Sequence, residues 1–194
     1  IITHSHGDHN GLLNGKYDSF RGITVERILV NYMANSERLK AISSSEYGGN
    51  WSSNEGGGYA NTYTAAKVLG ASLRKVHVGQ VYYFADMKLE VLYTLESYAP
   101  KTCNAMNTTS LIMKMTIGDT VYMSTGDATG PAFDICNKMY GDYMKCDIVQ
   151  VAHHGYTTWG NDTATAKAYG YMNAATVLWP QGLTAYPNYK DQSY

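Results

Sequence analysis

The sequence predicts a mixed α/β fold with layered helices and strands, and three observations favour it. Apolar residues alternate with period two in several short stretches, as Leu111, Met113 and Met115 do. Helical stretches lie between those strands. A Gly118-Asp119 turn joins two of the strands as an antiparallel hairpin. This mixture is typical of an α/β (α+β layered) fold and not of a doubly wound parallel sheet.

The first half of the chain begins with Ile1-Ile2-Thr3, which has the character of the tail of a buried strand. We predict a helix over 10–14, a strand over 25–32, a helical piece over 36–42 and, with Thr62 as N-cap, a helix over 65–73. Between them, residues 43–61 form a Gly/Ser/Asn-rich stretch that predicts a loop. The loop is either a surface connection or a lid whose Tyr47 or Trp51 touches substrate.

The second half carries the period-two strands. Apolar residues first alternate with period two at Val76, Val78 and Val81. After it we predict strands over 88–93, 110–117, 120–124, 147–152 and 175–179, and helices over 132–140 and 163–169.

Composition limits the function classes. The chain has 194 residues, 44% of them hydrophobic, which suits one domain over 1–194 with a real core. Lys and Arg total 15 against 16 Asp and Glu, so no basic excess favours nucleic acid as a partner, although an enzyme could still meet it at a metal. No apolar run is long enough to span a membrane. The 18 tyrosines and few charges lean towards a secreted or cell-surface protein.

Three cysteines are too few for a disulfide framework. We expect Cys136 and Cys146 to be buried thiols, with a bridge between them as the alternative in an oxidising compartment. Cys103 is a further candidate metal ligand.

Five of the six histidines fall in two clusters. In His4-Ser5-His6-Gly7-Asp8-His9, the histidines His4 and His6 lie two apart on extended backbone, so they project to one side and can share a metal ion. Gly7 lets the chain turn, and Asp8 and His9 can then reach a second ion. The other cluster, His153-His154, follows a predicted strand. The sixth histidine, His77, is isolated and is expected to be structural.

The first cluster matches the HxHxDH signature at every position, and on it the chain resembles the metallo-β-lactamase superfamily. In this context Asp127, at the end of a predicted strand, is similar to the aspartate that bridges both metals. The His153-His154-Gly155 element is similar to the one that supplies the last ligand. The resemblance implies an αββα sandwich. Because the motif starts at the fourth residue, we expect the domain to lack its N-terminal strands.

One departure from the superfamily narrows the resemblance. Many members have a further histidine between the first motif and the aspartate, whereas the matching stretch, 103–111, has none. Without that histidine, the chain resembles a particular branch of the superfamily in its Asn107…Ser110-Leu111 stretch, its hairpin, its Thr125-Gly126-Asp127 turn and its His153-His154-Gly155 element. That branch contains the hydrolase domains of competence (DNA-uptake) proteins and the phosphorylcholine esterases of Gram-positive surfaces.

The resemblance implies a metal-dependent hydrolase that uses a metal-activated hydroxide on a phosphodiester or other phosphoester, small or surface-linked. It implies two divalent ions, zinc by ligand type with manganese or iron as alternatives. Candidate catalytic residues are Asp8, His153 and His154. Candidate metal ligands are His4, His6, Asp8, His9, Asp127, His153 and His154. The alternatives are a lactonase or β-lactamase type carbonyl hydrolase, and a non-catalytic binding domain with a vestigial metal site.

Overall fold

The computed structural model describes residues 1–31, 53–94, 96, 105–155 and 166–181. The predicted helical piece at 36–42, the aromatic residues Tyr47 and Trp51, and Cys103 lie outside the described residues.

The described part of the chain contains eight strands and five α-helices. The strands are β1 (Arg27–Val30), β2 (Ser72–Lys75), β3 (Val81–Phe84), β4 (Met87–Tyr93), β5 (Ile112–Ile117), β6 (Thr120–Ser124), β7 (Ile148–Gln150) and β8 (Thr176–Leu178). The helices are α1 (Gly7–Asn10), α2 (Ser53–Leu69), α3 (Ala105–Thr108), α4 (Gly130–Met139) and α5 (Ala166–Met172). Short 3-10 turns cover Gly11–Leu13, Tyr17–Phe20, Gly141–Met144 and Ala152–Gly155.

These strands form two sheets. Strands β1 and β2 pair in parallel, with Arg27 opposite Ser72. The larger sheet has the order β3-β4-β5-β6-β7-β8. Its first four strands are antiparallel neighbours, and β6, β7 and β8 run parallel. The chain start joins the two sheets, because Ile2 N–H donates to Leu29 O and Leu111 N–H donates to Thr3 O, both at 3.0 Å.

Three apolar cores separate four layers. Between α2 and the small sheet lies a core of Leu13, Ile28, Val30, Ala65 and Ala66. Between the two sheets lies a core of Leu29, Val76, Leu89, Val91, Leu111 and Met113. Between the large sheet and helices α4 and α5 lies a core that includes Leu92, Ile112, Met123, Phe133 and Met172.

The layers follow from the period of two along each strand. In β1, Ile28 and Val30 face α2 while Leu29 faces the large sheet. In β4 and β5, Val91 and Met113 face the small sheet, while their neighbours face the helices on the other side. The result is the αββα sandwich that the sequence predicts.

Two expectations need correction. Helix α2 begins at Ser53, so the loop predicted over 43–61 does not include 53–61, and Thr62, expected to cap the helix, is buried within it. Burial of Ala65 and Ala66 against Leu13 stabilises a helix that the glycines at 56–58 disfavour.

The alternation of Val76, Val78 and Val81 does not correspond to a single strand. Strand β2 ends at Lys75 and β3 begins at Val81. The intervening turn is held by Gly79, whose φ of +83° lies in the left-handed region that glycine tolerates.

The fold places the predicted site at the carboxyl ends of two neighbouring strands of the large sheet. Asp127 follows β6 and the His153-His154 pair follows β7, and these strands are parallel neighbours, so their carboxyl ends lie together. The histidine run follows the segment hydrogen-bonded to β1 and to the start of β5. Among the described residues, no helix is both long and apolar enough to cross a membrane.

Candidate metal centre

The histidine run is shaped by a tight turn into helix α1. His9 N–H and Asn10 N–H both donate to His6 O, and the buried Asn10 side chain donates to Ser5 O. The backbone before the helix is extended, so His4 and His6 project together, with His4 Nε2 3.0 Å from His6 Nδ1.

The hydroxyl of Thr3 aligns two of these imidazoles. Its oxygen lies 3.1 Å from His4 Nδ1 and 3.3 Å from His9 Nδ1. A hydroxyl oxygen has two lone pairs, so it can accept a hydrogen bond from both rings. The Nε2 atoms of His4 and His9 then face the buried carboxylate of Asp127, at 3.5 Å and 3.0 Å.

Asp127 is held in place by the turn that precedes it. Gly126 has a φ of +52°, and a Cβ there would lie 3.0 Å from Thr3 Cβ and 3.1 Å from Ser110 Cβ. Asp127 N–H donates to Ser110 Oγ at 3.1 Å. Only glycine fits this turn, which brings the carboxylate against the histidine run.

The two histidines after β7 adopt an unusual backbone. His153 and His154 have φ values of 49° and 54°, a left-handed conformation that costs about 1–3 kcal/mol per non-glycine residue. His153 N–H donates to Gly126 O, which ties this turn to that of Asp127. The consequence is that the two side chains point to different places.

His154 points into the histidine run. Its Nε2 lies 3.1 Å from Asp8 Oδ2, 3.3 Å from His9 Nε2 and 3.7 Å from Asp127 Oδ1. His153 lies to the side, with its Nε2 3.2 Å from Asn107 Nδ2 and 4.0 Å from Asp127 Oδ2.

Two groups of donor atoms could therefore hold metal ions. One group consists of His4, His6 and Asp127, and the other of Asp8, His9, Asp127 and His154; in each, the ligand atoms lie within 4.8 Å of one another. Asp127 belongs to both. His153 belongs to neither, so the structure brings together six of the seven predicted ligands in these groups and leaves His153 beside them.

The donor geometry fits a divalent metal. Ligands about 2.1 Å from a tetrahedral ion lie roughly 3.4 Å apart. The donor contacts in the two groups measure 3.0 Å to 3.7 Å. Within the described residues, no group donates a hydrogen bond to the buried Asp127 Oδ1, although His9 Nε2 lies 3.0 Å away. A buried carboxylate oxygen of that kind is suited to binding a cation.

The electrostatics favour ionised carboxylates. The hydrogen bond with His154 holds the pKa of Asp8 well below its ordinary value. Burial opposes ionisation of Asp127, but contacts with His9, His4 and His154 together lower its pKa. Both carboxylates are therefore negative at neutral pH, as metal ligands must be.

The imidazole rings of the site differ in their pKa values and therefore in their protonation states. Burial lowers the pKa of His4 and of His153, so both are neutral at pH 7. The hydrogen bond with Asp8 raises the pKa of His154 to about 9, so without a cation this ring is protonated. A bound metal ion would replace that proton.

A cavity of about 640 Å³ borders Asp8 and His9 on the side of the first 3-10 turns. Its walls are mainly apolar and include Leu12, Phe20 and Ile28, with Lys16 and Arg27 as its cationic members.

Four residues that hydrogen-bond the site had no supporting role assigned from the sequence: Thr3, Asn107, Ser110 and Gln150. Thr3 contacts His9 nearby in the chain, whereas Asn107, Ser110 and Gln150 hydrogen-bond residues in distant segments. The isolated His77 lies in the turn after β2, 3.2 Å from Glu96 and outside the candidate site, and its structural role stays a prediction.

No protein-family model matches the chain, and no curated protein matches its sequence. Among solved structures, CmlA of Streptomyces venezuelae, a diiron β-hydroxylase, matches 91% of the chain with 14% identity and a TM-score of 0.50. YhfI of Bacillus subtilis, a metallo-β-lactamase fold protein, matches 90% with 10% identity and a TM-score of 0.45. Zn²⁺-bound PqqB of Methylobacterium extorquens matches 76% with 13% identity and a TM-score of 0.36.

The chain spans 34% of CmlA, 60% of YhfI and 43% of PqqB, so it corresponds to a part of each of those chains. At such low identities, structural likeness shows the fold alone. The αββα sandwich that the resemblance to the metallo-β-lactamase superfamily implies is confirmed: the described residues form four layers in that order, with the candidate metal centre at the carboxyl ends of β6 and β7.

Proposed function

We propose that this chain is a metal-dependent hydrolase of phosphoesters with a centre for two divalent ions. The observation that carries the proposal is the position of Asp127, whose carboxylate is common to both groups of donor atoms. Its Oδ2 lies near His4 and its Oδ1 near His9, so one carboxylate faces both groups at once.

The first ion would be held by His4, His6 and Asp127, and the second by Asp8, His9, Asp127 and His154. Imidazole and carboxylate donors make zinc the expected metal, with manganese or iron as alternatives. Bound ions of this kind act as Lewis acids and bring the pKa of a coordinated water close to neutrality.

The remaining polar groups would orient substrate and water. The Asp8 side chain is 60% exposed, so one carboxylate oxygen can accept a hydrogen bond from an attacking water. His153 is neutral, lies beside Asp127 and contacts the Asn107 amide. From there its ring can hydrogen-bond a substrate oxygen or the leaving group.

Three features support a phosphoester as the substrate. Within the described residues, the stretch that would supply a middle histidine contributes Asn107 and Ser110 instead, as in the competence-protein and phosphorylcholine-esterase branch. Lys16 and Arg27 give the cavity beside Asp8 and His9 a positive charge, which complements a phosphate. The near-zero net charge of the whole chain favours a small or surface-linked substrate over long nucleic acid.

The test compares metal content and hydrolysis in the wild type and in Asp127→Asn, with Asp134→Asn as matched control. Asp134 is an exposed carboxylate on α4, outside both groups. The substrates are bis-p-nitrophenyl phosphate, a phosphorylcholine ester and a chromogenic β-lactam.

We expect the wild type and Asp134→Asn to bind two metal ions and to cleave a phosphoester. Asp127→Asn should lose metal and at least about 100-fold in activity, because both ions lose a charged ligand. Cleavage of the β-lactam alone would overturn the phosphoester assignment. Full metal content and activity in Asp127→Asn would overturn the centre itself.

A further inference from the structure

Strand β8 ends beside the turn that carries His154. Strands β7 and β8 are parallel, with Gln150 opposite Leu178, and Val151 N–H donates to Leu178 O at 2.9 Å. The two residues that follow β8, Trp179 and Pro180, therefore lie next to the two histidines that follow β7.

Both of these residues hydrogen-bond His154. The indole N–H of Trp179 donates to His154 O at 2.8 Å. The Nδ1 atom of His154 lies 2.9 Å from Pro180 O. A carbonyl oxygen only accepts hydrogen bonds, so Nδ1 must carry the hydrogen. When the ring is neutral, the lone pair is then on Nε2, the nitrogen that faces Asp8, His9 and Asp127.

The sequence Trp179-Pro180 suits a segment that holds His154 by hydrogen bonds. A residue before proline is restricted to extended backbone, and proline fixes its own φ. These restrictions reduce the number of backbone conformations open to the segment that carries the indole ring and the Pro180 carbonyl. An indole N–H can only donate, so it holds the His154 carbonyl without competing for the imidazole.

We propose that Trp179 and Pro180 form a clamp that positions His154 as a metal ligand, with Pro180 O selecting the Nδ1–H tautomer and Trp179 holding the left-handed backbone of His154. The clamp rests on the metal centre of the proposed function and not on its substrate. Trp179 is a positioning residue, because its indole N–H acts through the backbone carbonyl of His154.

The clamp explains why the strained His153-His154 backbone is retained. Left-handed backbone persists in residues other than glycine only where surrounding contacts hold it. His153 is held by Gly126 O and His154 by Trp179. Without the indole N–H, His154 would relax and its ring would turn from Asp8.

The experiment uses Trp179→Phe, which retains an aromatic ring and removes the donor. Tyr140→Phe is the matched control, because it removes a hydrogen bond from another aromatic side chain to the backbone carbonyl of Leu92, and neither residue belongs to the two groups of donor atoms. Zinc affinity is measured by chelator competition. Nitrogen NMR of ¹⁵N-histidine protein gives the tautomer of His154, with zinc and in metal-free protein at a pH where the ring is neutral.

We expect zinc to bind Trp179→Phe about 10- to 100-fold more weakly at one of the two sites, the loss typical of an outer-shell partner, and Tyr140→Phe to bind it as the wild type does. In the wild type, Nδ1 of His154 should carry the hydrogen. Zinc affinity unchanged in Trp179→Phe, or an Nε2–H tautomer in the wild type, would overturn the clamp.

The experiment on the clamp and the experiment on the proposed function can fail independently of each other. If the chain binds zinc but cleaves no phosphoester, the proposed function is contradicted. The zinc affinities of Trp179→Phe and Tyr140→Phe would still decide whether the clamp exists. If the wild type binds no zinc, the clamp as a device for metal binding is overturned too, and the metal-free tautomer then shows whether Pro180 still orients the ring.

Discussion

The side chain of Gln150 binds both backbone polar groups of Gly126. Its Oε1 accepts from Gly126 N–H at 3.2 Å, and its Nε2 donates to Gly126 O at 3.1 Å. Gln150 is the last residue of β7, and Gly126 immediately precedes Asp127. The side chain therefore continues the pairing of β6 and β7 past the end of β6, and the position of the Asp127 carboxylate depends on it.

We predict that Gln150→Ala lowers the free energy of unfolding by about 1–3 kcal/mol and reduces metal content. The cause is the loss of two hydrogen bonds at a part-buried site, which leaves Gly126 N–H without the Gln150 acceptor and Gly126 O with the His153 N–H. Urea denaturation and metal analysis would measure the two effects. Gln80→Ala is the control, since Gln80 lies outside both groups of donor atoms and its side chain accepts hydrogen bonds from His77 N–H and Tyr82 OH at an exposed site. Its loss of stability should be smaller than that of Gln150→Ala, and its metal content should not change. Equal stability losses in the two variants would contradict this role.

We predict that Gly126→Ala destabilises the fold by more than the conformational cost of alanine at a positive φ. A Cβ at this position would press on Thr3 and Ser110, which contact the metal-centre histidines and Asp127. Gly118 has a similar φ, +56°, with nothing within 4 Å of its Cβ position. Gly118→Ala therefore measures the conformational cost alone.

We expect Gly126→Ala to lose about 1–3 kcal/mol more stability than Gly118→Ala, as overpacking does, together with metal binding. Thermal unfolding of both variants and their zinc content are the measurements. If the two alanines cost the same and both proteins retain zinc, the close packing around Gly126 does not control the centre.

The sequence predicts the ligand-bearing residues better than their supports. The donors from His4 to His9 are close in the chain, so their spacing alone indicates that they can share metal ions. Asp127 and the His153-His154 pair were predicted from the resemblance to the metallo-β-lactamase superfamily that this run carries. The supporting roles of Gln150, Ser110 and Trp179 were not predictable, because each acts through hydrogen bonds between segments that only the folded sheet brings together.

The same limit applies to helix α2. Its glycines at 56–58 predict a loop from local propensity, whereas burial of Ala65 and Ala66 against the small sheet depends on tertiary contacts. The choice between His153 and His154 could not be made from sequence either, since their different directions follow from two consecutive left-handed residues.

The Asp8–His154 contact should make the metal-free protein less stable as pH rises. The folded-state pKa of His154, about 9, lies above its ordinary value of 6.5. The contact therefore contributes fully below about pH 6.5 and is lost as pH rises through about 9. Because Asp8 is largely exposed, we expect only about 1 kcal/mol.

Urea denaturation of chelator-treated protein at about pH 6 and about pH 10 measures this loss. Asp8→Asn is the reference, because it removes the charged partner and leaves the other titrating groups in place. The wild type should lose about 1 kcal/mol more than Asp8→Asn between the two pH values. Parallel losses in the two proteins would show that the contact does not stabilise the metal-free fold.

The two cysteines of the helical layer should be free thiols that do not react in the folded protein. Burial raises the pKa of Cys136 to about 12 and that of Cys146 to about 11, and both side chains lie in the core between the large sheet and its helices. Since the thiolate is the reactive form, iodoacetamide at about pH 8 should modify neither residue in native Cys103→Ser protein. In denaturant without reductant, mass spectrometry should find both residues alkylated. Their protection in denaturant would instead indicate a Cys136–Cys146 disulfide, and rapid alkylation of the native protein would show that this core opens on the timescale of the reaction.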